Sequence, residues 1–314
     1  MSVMKILKDI DLSKFTSFSI GGKAKYLIYI EKEEEINQFF NFVKEKKMEY
    51  FVLGNGTNTI FDDKGYNGII VRLVTNYINF LDPYTIEVSA GVDLSKFILT
   101  CLENNLKGYE KMLGIPGTVG GAIRGNAGSK GQEIKDNLIS VKFYHNRELK
   151  TYYNEDCEFF YRESIFKNLK NVIILSAKFQ LEPGDKNILL KEAKRIVDER
   201  NRKFPLHLPN VGCFFKNPII QKDILPKNIS KKVVQNYDDE KLKISAAWLI
   251  ENVGLKGYKL NDVGVSNKHA LFLVNYGNAK FSDVINLMNL IKDKVYKKFS
   301  ICLEPEVELL YNKS

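Results

Sequence analysis

The chain has 314 residues, 44% of them hydrophobic and 27% charged, with a formal net charge of +9. Length and composition exclude a disordered or low-complexity chain and allow one large core or two to three smaller ones. No run of about 18 apolar residues reads as a membrane span, and "MSVMKILKDIDLSKF" holds no apolar stretch ahead of a small-residue cleavage site, so a cytoplasmic chain is expected.

In chain order, "YLIYI" (26–30) reads as a strand. The run after it carries Ile36, Phe39, Phe40 and Val43 on one helical face, acidic at its start and lysine-rich at its end. "YFVLG" (50–54) and "GIIVRLV" (68–74) are strands, joined by the loop "GNGTNTIFDDKGYNG". "YTIEVSAG" (84–91) is a strand. "DLSKFILTCLENN" is a helix capped by Asp93 or Ser95, with Leu94, Phe97, Ile98, Cys101 and Leu102 inward. An irregular glycine-dense stretch, 108–131, precedes strands near 138–145 and 172–181. A charged helix near 187–203 then leads to "FPLHLP", whose prolines place a domain junction near residue 200. Beyond it come a helix at "ISAAWLIENVG", a strand at "HALFLVN", a helix from Phe281 to about Lys297, and a last strand "LEPEVELLY". The alternation is irregular, so the fold class is α+β.

The basic excess fits either a lysine-rich surface or an affinity for anionic ligands. The lysines are spread along the chain and no RNA-recognition, zinc-finger or helix-turn-helix signature occurs, which favours phosphorylated small molecules over nucleic acid. Four cysteines (Cys101, Cys157, Cys213, Cys302) and three histidines (His145, His207, His269) lie far apart, and no C-x-x-C occurs, so neither a metal site nor a disulfide is expected. Cys101 belongs to the core. Cys213, in "NVGCFFKNP", is left as a buried small residue, a nucleophile or a proton donor.

Two loops are built for phosphates or a flat ligand. "LGNGTN" (53–58) leaves a strand with two glycines but fails both the dinucleotide and the P-loop patterns; its backbone N–H groups suit a diphosphate. "GIPGTVGGAIRGNAG" holds Gly114, Gly117, Gly120, Gly121, Gly125 and Gly128, a density that fits close approach of backbone to a ligand. "YRESIFKN" sets an aromatic beside a guanidinium. Glu304, Glu306 and Glu308 alternate with apolar residues, which by pattern alone is a solvated strand face.

Taken together, "FTSFSIGGKAKYL", "VLGNGTNTIFDDKGYNGIIVRL", "GIPGTVGGAIRGNAGSKGQEI", "YRESIFKN", "PNVGCFFKNP" and "LEPEV" resemble, in order and over nearly the whole chain, the UDP-N-acetylenolpyruvoylglucosamine reductase family of peptidoglycan precursor synthesis. The resemblance implies two FAD-binding subdomains of the vanillyl-alcohol-oxidase (PCMH) type, 1–75 and 76–197, and a C-terminal α+β substrate domain, 198–314, whose last strand, 303–311, returns toward the active site. It implies FAD as cofactor, NADPH as co-substrate, a UDP-sugar as substrate, no nucleic-acid or membrane partner and no obligate protein partner. NADPH reduces FAD; the flavin then gives hydride to C3 of the enolpyruvyl group, C2 is protonated, and UDP-N-acetylmuramate forms.

By the same resemblance, Leu53, Gly54, Asn55, Gly56, Thr57 and Asn58 take the FAD diphosphate. Gly114, Ile115, Pro116, Gly117, Thr118, Gly120, Gly121, Asn126, Ala127 and Gly128 line the flavin. Arg162 meets the charge developing at C2, Glu306 shapes the site, and Tyr161, Arg200, Lys203, Asn217 and His269 contact substrate. Cys213 stands where the family usually has serine, the acid that protonates C2, and a thiol with an ordinary pKa near 8.5 is a competent acid. The short span between Arg162 and Cys213 resembles the shorter, type II-like branch of the family. Glu308 stands where many members carry a basic residue. A different FAD oxidoreductase of the same fold, acting on an alcohol or hydroxy acid, would not carry "GCFFKNP" and "LEPEV" together; a basic nucleic-acid-binding protein leaves the glycines unexplained.

Overall fold

The structure is a computed structural model that describes residues 4–312; residues 1–3 and 313–314, the tips of the expected 1–75 and 198–314 parts, lie outside the described residues. The chain forms two compact units. The first is built from residues up to 10, 24–56 and 67–202; the second from 11–23, 57–66 and 203 onward. Segments 11–23 and 57–66 thus join the C-terminal part, although the sequence places them within 1–75.

The first unit has two sheets. One orders its strands Lys5–Asp11, Lys23–Ile30, Tyr66–Leu73, Tyr50–Val52, with the last two parallel. The other is antiparallel throughout, in the order Glu148–Tyr153, Leu138–His145, Val172–Gln180, Thr85–Ser89, Ile78–Phe80. Helix α1 (Ile36–Lys46) buries Ile36, Phe39 and Phe40, the apolar face read from the sequence, and stops at Lys47 in the left-handed region. Helix α2 (Leu94–Glu103) starts where Asp93 accepts from the Ser95 and Lys96 N–H groups, which singles out Asp93 as the cap. Its face Leu94, Phe97, Ile98, Cys101 and Leu102 is fully buried, each large side chain contributing about 1.5–3 kcal/mol of burial. Cys101 is core, as expected, and burial drives its thiol pKa far up.

The glycine-dense stretch is not all irregular. Helix α3 (Val119–Arg124) runs through "VGGAIR", with the Thr118 Oγ1 accepting from the Gly121 N–H at 3.2 Å. Two glycines mask it from propensity; the cap and burial of Val119, Ala122 and Ile123 override them. Helices α4 (Ile165–Asn168) and α5 (Lys186–Lys203) follow.

The second unit packs helices α6 (Ala246–Asn252) and α7 (Phe281–Phe299) with a four-stranded sheet ordered Asn210–Cys213, Phe272–Asn275, Val263–Val265, Lys259–Leu260. Its own core includes Val284, Leu287, Ile291 and Val295 of α7 and Phe214, Phe215, Leu249 and Ile250. The expected last strand, 303–311, shrinks to Glu308–Leu310, which pairs in parallel with Thr59–Phe61, a strand the sequence left inside a loop. Three residues with one distant partner carry too little local pattern to be read.

Candidate active site

The glycine-rich loops meet within the first unit. Leu53 is buried and donates its N–H to the Val71 carbonyl at 2.9 Å, ending the strand. A Cβ on Gly54 would lie 2.9 Å from the Thr118 Oγ1, so only glycine lets the "LGNGTN" loop lie against the start of α3. Asn55 Nδ2 donates to the Asp93 carboxylate at 3.4 Å, and Arg72 donates to Asn55 Oδ1 at 3.4 Å. Gly56 ends this part of the loop; Thr57 and Asn58 belong to the second unit.

The glycines of the second loop divide into two kinds. A Cβ on Gly120 would sit 2.8 Å from that of Ala90, and one on Gly128 would sit 2.6 Å from the Gln132 carbonyl oxygen; packing requires both. At Gly121 and Gly125 a Cβ would meet nothing nearer than 3.5 Å. Packing within the chain does not ask for glycine there, so the exposed backbone at Gly121 is left open to a ligand.

The start of α3 is not the anion site. The N–H groups of Val119, Gly120, Gly121 and Ala122 are spent on Val92, Ala90 and Thr118. The Gly54 and Asn55 amides, by contrast, have no acceptor among the described residues, so they can receive an anionic ligand. Ile115 donates back to Met112, Pro116 follows it, and the Gly117 carbonyl accepts from Leu94 at 3.0 Å. A Cβ on Gly114 would lie 3.3 Å from the Arg200 Cδ and Nε.

Asn126 is fully buried. Its Nδ2 donates to Glu133 Oε2 at 3.0 Å and to the Phe160 carbonyl at 2.8 Å, while its Oδ1 has no donor among the described residues. A buried acceptor left unmatched is costly, and a ligand N–H or O–H would match it. Ala127 accepts from Ile134 at 2.8 Å, fixing the loop's exit.

Arg162 sits in a tight turn closed by reciprocal Phe160–Glu163 backbone bonds of 3.1 Å, with Tyr161 and Arg162 at its centre. Its φ is 59°, in the left-handed region that favours glycine. The guanidinium donates to the Gly128 carbonyl at 2.7 Å and the Asn126 carbonyl at 3.4 Å, lies 3.6 Å from Glu133 Oε1, and covers the Tyr161 ring at 5.0 Å. Arg162, Tyr161, Asn126 and Gly128 are therefore brought together. Glu133 was not singled out from the sequence; its signal is the Lys130-Gly131 turn (φ 52° and 85°) of a two-residue hairpin that sets Glu133 opposite Gly128.

In the second unit, Cys213 is half-buried at the end of the Asn210–Cys213 strand. Asn210 pairs with Val274 and Cys213 with Phe272, so the Cys213 strand carries one extra residue. Gly212 absorbs it at φ 75°, its N–H bonded to Asn210 Oδ1 at 3.0 Å. That is a glycine bulge, the device that re-aims a strand residue. Asn210 is itself held by Ser17, which accepts from the Asn210 N–H at 3.1 Å and donates to its carbonyl at 2.6 Å.

On the other edge of the same segment, Glu306 N–H donates to the Phe214 carbonyl at 2.8 Å and Lys216 N–H to the Glu304 carbonyl at 2.9 Å. Pro305 faces Phe215 in a pair that asks no N–H of it, which is why proline is tolerated there. The Cys213 segment and Glu306 are thus antiparallel neighbours. Asn58 Nδ2 donates to the Glu306 carbonyl at 3.1 Å, and Glu308 N–H to the Asn58 carbonyl at 3.0 Å.

The remaining residues have mixed surroundings. Asn217 Oδ1 accepts from the Ala246 N–H at 3.0 Å, capping α6 and leaving Nδ2 as its donor end. His269 Nδ1 accepts from the Leu271 N–H at 3.3 Å, so its proton resides on Nε2. Burial, then the charges of Lys256 and Lys203, hold its pKa below the ordinary value, so it presents a neutral N–H. It packs edge-on against Phe204 and Phe272. Lys203 is exposed. Among the described residues there is no cluster of metal-ligating side chains, and no helix is long and apolar enough to cross a membrane.

Residues 24–147 match the profile of the FAD binding domain, and residues 204–310 that of the UDP-N-acetylenolpyruvoylglucosamine reductase C-terminal domain. With the α+β fold and the open glycine cradle, this defines an FAD-dependent oxidoreductase. The chain belongs to the UDP-N-acetylenolpyruvoylglucosamine reductase family: it is 37% identical to the enzyme of that name from Carboxydothermus hydrogenoformans, over 97% of this chain and 94% of that protein. It is 36% identical to that from Aquifex aeolicus, over 98% and 96%. The crystal structure of UDP-N-acetylenolpyruvylglucosamine reductase from Thermus caldophilus superimposes with a TM-score of 0.76 at 28% identity, covering 98% of this chain and all of that one.

Proposed function

We propose that the chain reduces the enolpyruvyl group of UDP-N-acetylenolpyruvoylglucosamine to UDP-N-acetylmuramate in the cytoplasm, with NADPH as reductant, in peptidoglycan precursor synthesis. The observation that carries this reading is the Arg162 guanidinium, held in a strained turn and tied at 2.7 Å to the Gly128 carbonyl of the glycine-rich segment. In this reading the two sheets of the first unit are the two FAD-binding subdomains and the second unit is the substrate domain.

The first loop, Leu53 to Asn58, would hold the FAD diphosphate, and Gly114 to Gly128 would line the flavin. The chemistry FAD supplies when bound is hydride transfer, taken from NADPH and given to C3 of the enolpyruvyl group. Addition at C3 leaves an electron pair on C2, delocalised into the substrate carboxylate. Arg162 meets that charge with a donor already fixed in place, which lowers the barrier because no reorganisation is needed at the moment of reaction. Cys213 gives its proton to C2; the thiolate left behind regains a proton from solvent. Glu306, on the segment beside Cys213, shapes the site. Tyr161, Arg200, Lys203, Asn217 Nδ2 and the His269 Nε2–H hold the UDP-sugar; with Glu308 where many members carry a basic residue, one phosphate contact is missing or supplied elsewhere.

The test is anaerobic titration of the purified protein. It should be yellow, with a flavin band near about 450 nm, bleached by NADPH and restored by UDP-N-acetylenolpyruvoylglucosamine but not by UDP-N-acetylglucosamine. A protein that takes up no FAD, or whose reduced flavin ignores the enolpyruvyl substrate, would overturn the reading.

A further inference from the structure

Glu133 lies at the centre of the polar network in the first unit. Its carboxylate accepts from Asn126 Nδ2 at 3.0 Å through Oε2, lies 3.6 Å from Arg162 Nη1 through Oε1, and has Lys135 3.4 Å away. Its place is set by backbone. The Gly128–Ser129 and Gln132–Glu133 hairpin puts Glu133 directly across from Gly128, whose carbonyl takes the other Arg162 nitrogen. A Cβ on Gly128 would meet Glu133 Cγ at 2.8 Å, so only glycine there lets the two approach this closely. The Glu133 N–H is in turn bonded to Asp136 at 2.7 Å.

Two routes lead from this carboxylate to Arg162. One is the direct ion pair. The other runs through Asn126: with its amide turned by Glu133, the second N–H reaches the Phe160 carbonyl at 2.8 Å, the first residue of the turn that carries Arg162. That turn holds Arg162 at φ 59°, a left-handed conformation that persists only where the surroundings impose it.

We propose that Glu133 is the positioning residue for Arg162: its carboxylate aims the guanidinium directly and, through Asn126, pins the turn that presents it. Glu133 neither touches the reacting atoms nor donates a proton. This rests on the role given above to Arg162. Replacing Glu133 by glutamine keeps the volume, removes the charge facing Arg162, and sets an amide N–H₂ against Asn126 or Arg162. The guanidinium then loses its bearing while substrate binding groups elsewhere stay in place.

The experiment is stopped-flow kinetics on the FAD-loaded enzyme, with the two half-reactions read separately. In Glu133→Gln the maximal rate of flavin reoxidation by the enolpyruvyl substrate should fall about 10- to 100-fold, with the half-saturating substrate concentration and the rate of reduction by NADPH changed by no more than about threefold. Glu133→Asp should lie between wild type and Glu133→Gln, and Lys135→Ala, which removes the other cation on the carboxylate, should match wild type. Flavin content and visible spectrum should be retained in all three. Equal maximal rates in Glu133→Gln and wild type would overturn the proposal, as would a parallel fall in both half-reactions or loss of the fold in both Glu133 variants. If wild-type reduced flavin is itself not reoxidised by this substrate, it is the role of Arg162 that fails, and the two failures are told apart by that control.

Discussion

Arg162 and Cys213 are each presented by backbone that departs from regular geometry, but the strain sits in different places. Arg162 carries it itself, at φ 59° in a turn, and the side chain is then clamped by two carbonyls and a carboxylate. Cys213 keeps ordinary strand geometry because its neighbour Gly212 takes the positive φ in a bulge with open space around it. The proposed roles account for the difference: Arg162, whose charge is to be fixed, is held by its neighbours, and Cys213, the proton donor of that proposal, is aimed by the bulge beside it.

If that contrast is right, Arg162→Ala should be the most damaging of these changes. Its kcat should fall about 10²- to 10³-fold, the usual cost of one preorganised donor at a developing charge, with FAD still bound. A kcat within about 10-fold of wild type would refute the assignment.

The cradle offers the next test. Gly117 lies at φ 132°, where any side chain is strained, so a substitution there cannot separate fold from cofactor. Gly121 is helical, exposed and uncrowded. Gly121→Val should therefore leave the stability of the FAD-free protein within about 0.5 kcal/mol of wild type while flavin content after purification drops sharply. Full flavin occupancy in the variant would mean that the open face of α3 is not the cradle.

Gly212→Ala should have the smallest effect. A Cβ there meets nothing, so the cost is the backbone alone, about 1–2 kcal/mol in chemical denaturation. Reoxidation of the reduced flavin should slow as Cys213 is turned, whereas the half-saturating concentration of the enolpyruvyl substrate should not change. Loss of stability with unaltered kinetics would show that the bulge is structural only.

Much of the first site was legible because its chemistry is local. The density of glycine between 114 and 128, the cap at Asp93 or Ser95 and the adjoining Tyr161 and Arg162 are all short-range signals. Resemblance added the roles of Arg162, Cys213 and Glu306. What stayed hidden depends on distant partners: the bulge at Gly212 exists only against Val274 and Phe272, the strand Thr59–Phe61 only against Glu308–Leu310, and the helix through "VGGAIR" only because Val119 and Ile123 are buried. Glu133 was hidden for the same reason, since its hairpin points a common surface residue at a guanidinium 29 positions later in the chain.

The central claim is that Cys213 protonates C2 after hydride addition, and it is tested most directly by stopped-flow absorbance of the flavin in Cys213→Ala. Reduction by NADPH should proceed at the wild-type rate, because it needs no proton from this side chain. Reoxidation by UDP-N-acetylenolpyruvoylglucosamine should slow about 10²-fold or more, the scale of general acid catalysis. Cys213→Ser should recover much of that loss, its hydroxyl being a donor of similar size. Equal slowing of both steps in Cys213→Ala, or of neither, would contradict the account and leave the thiol a packing residue.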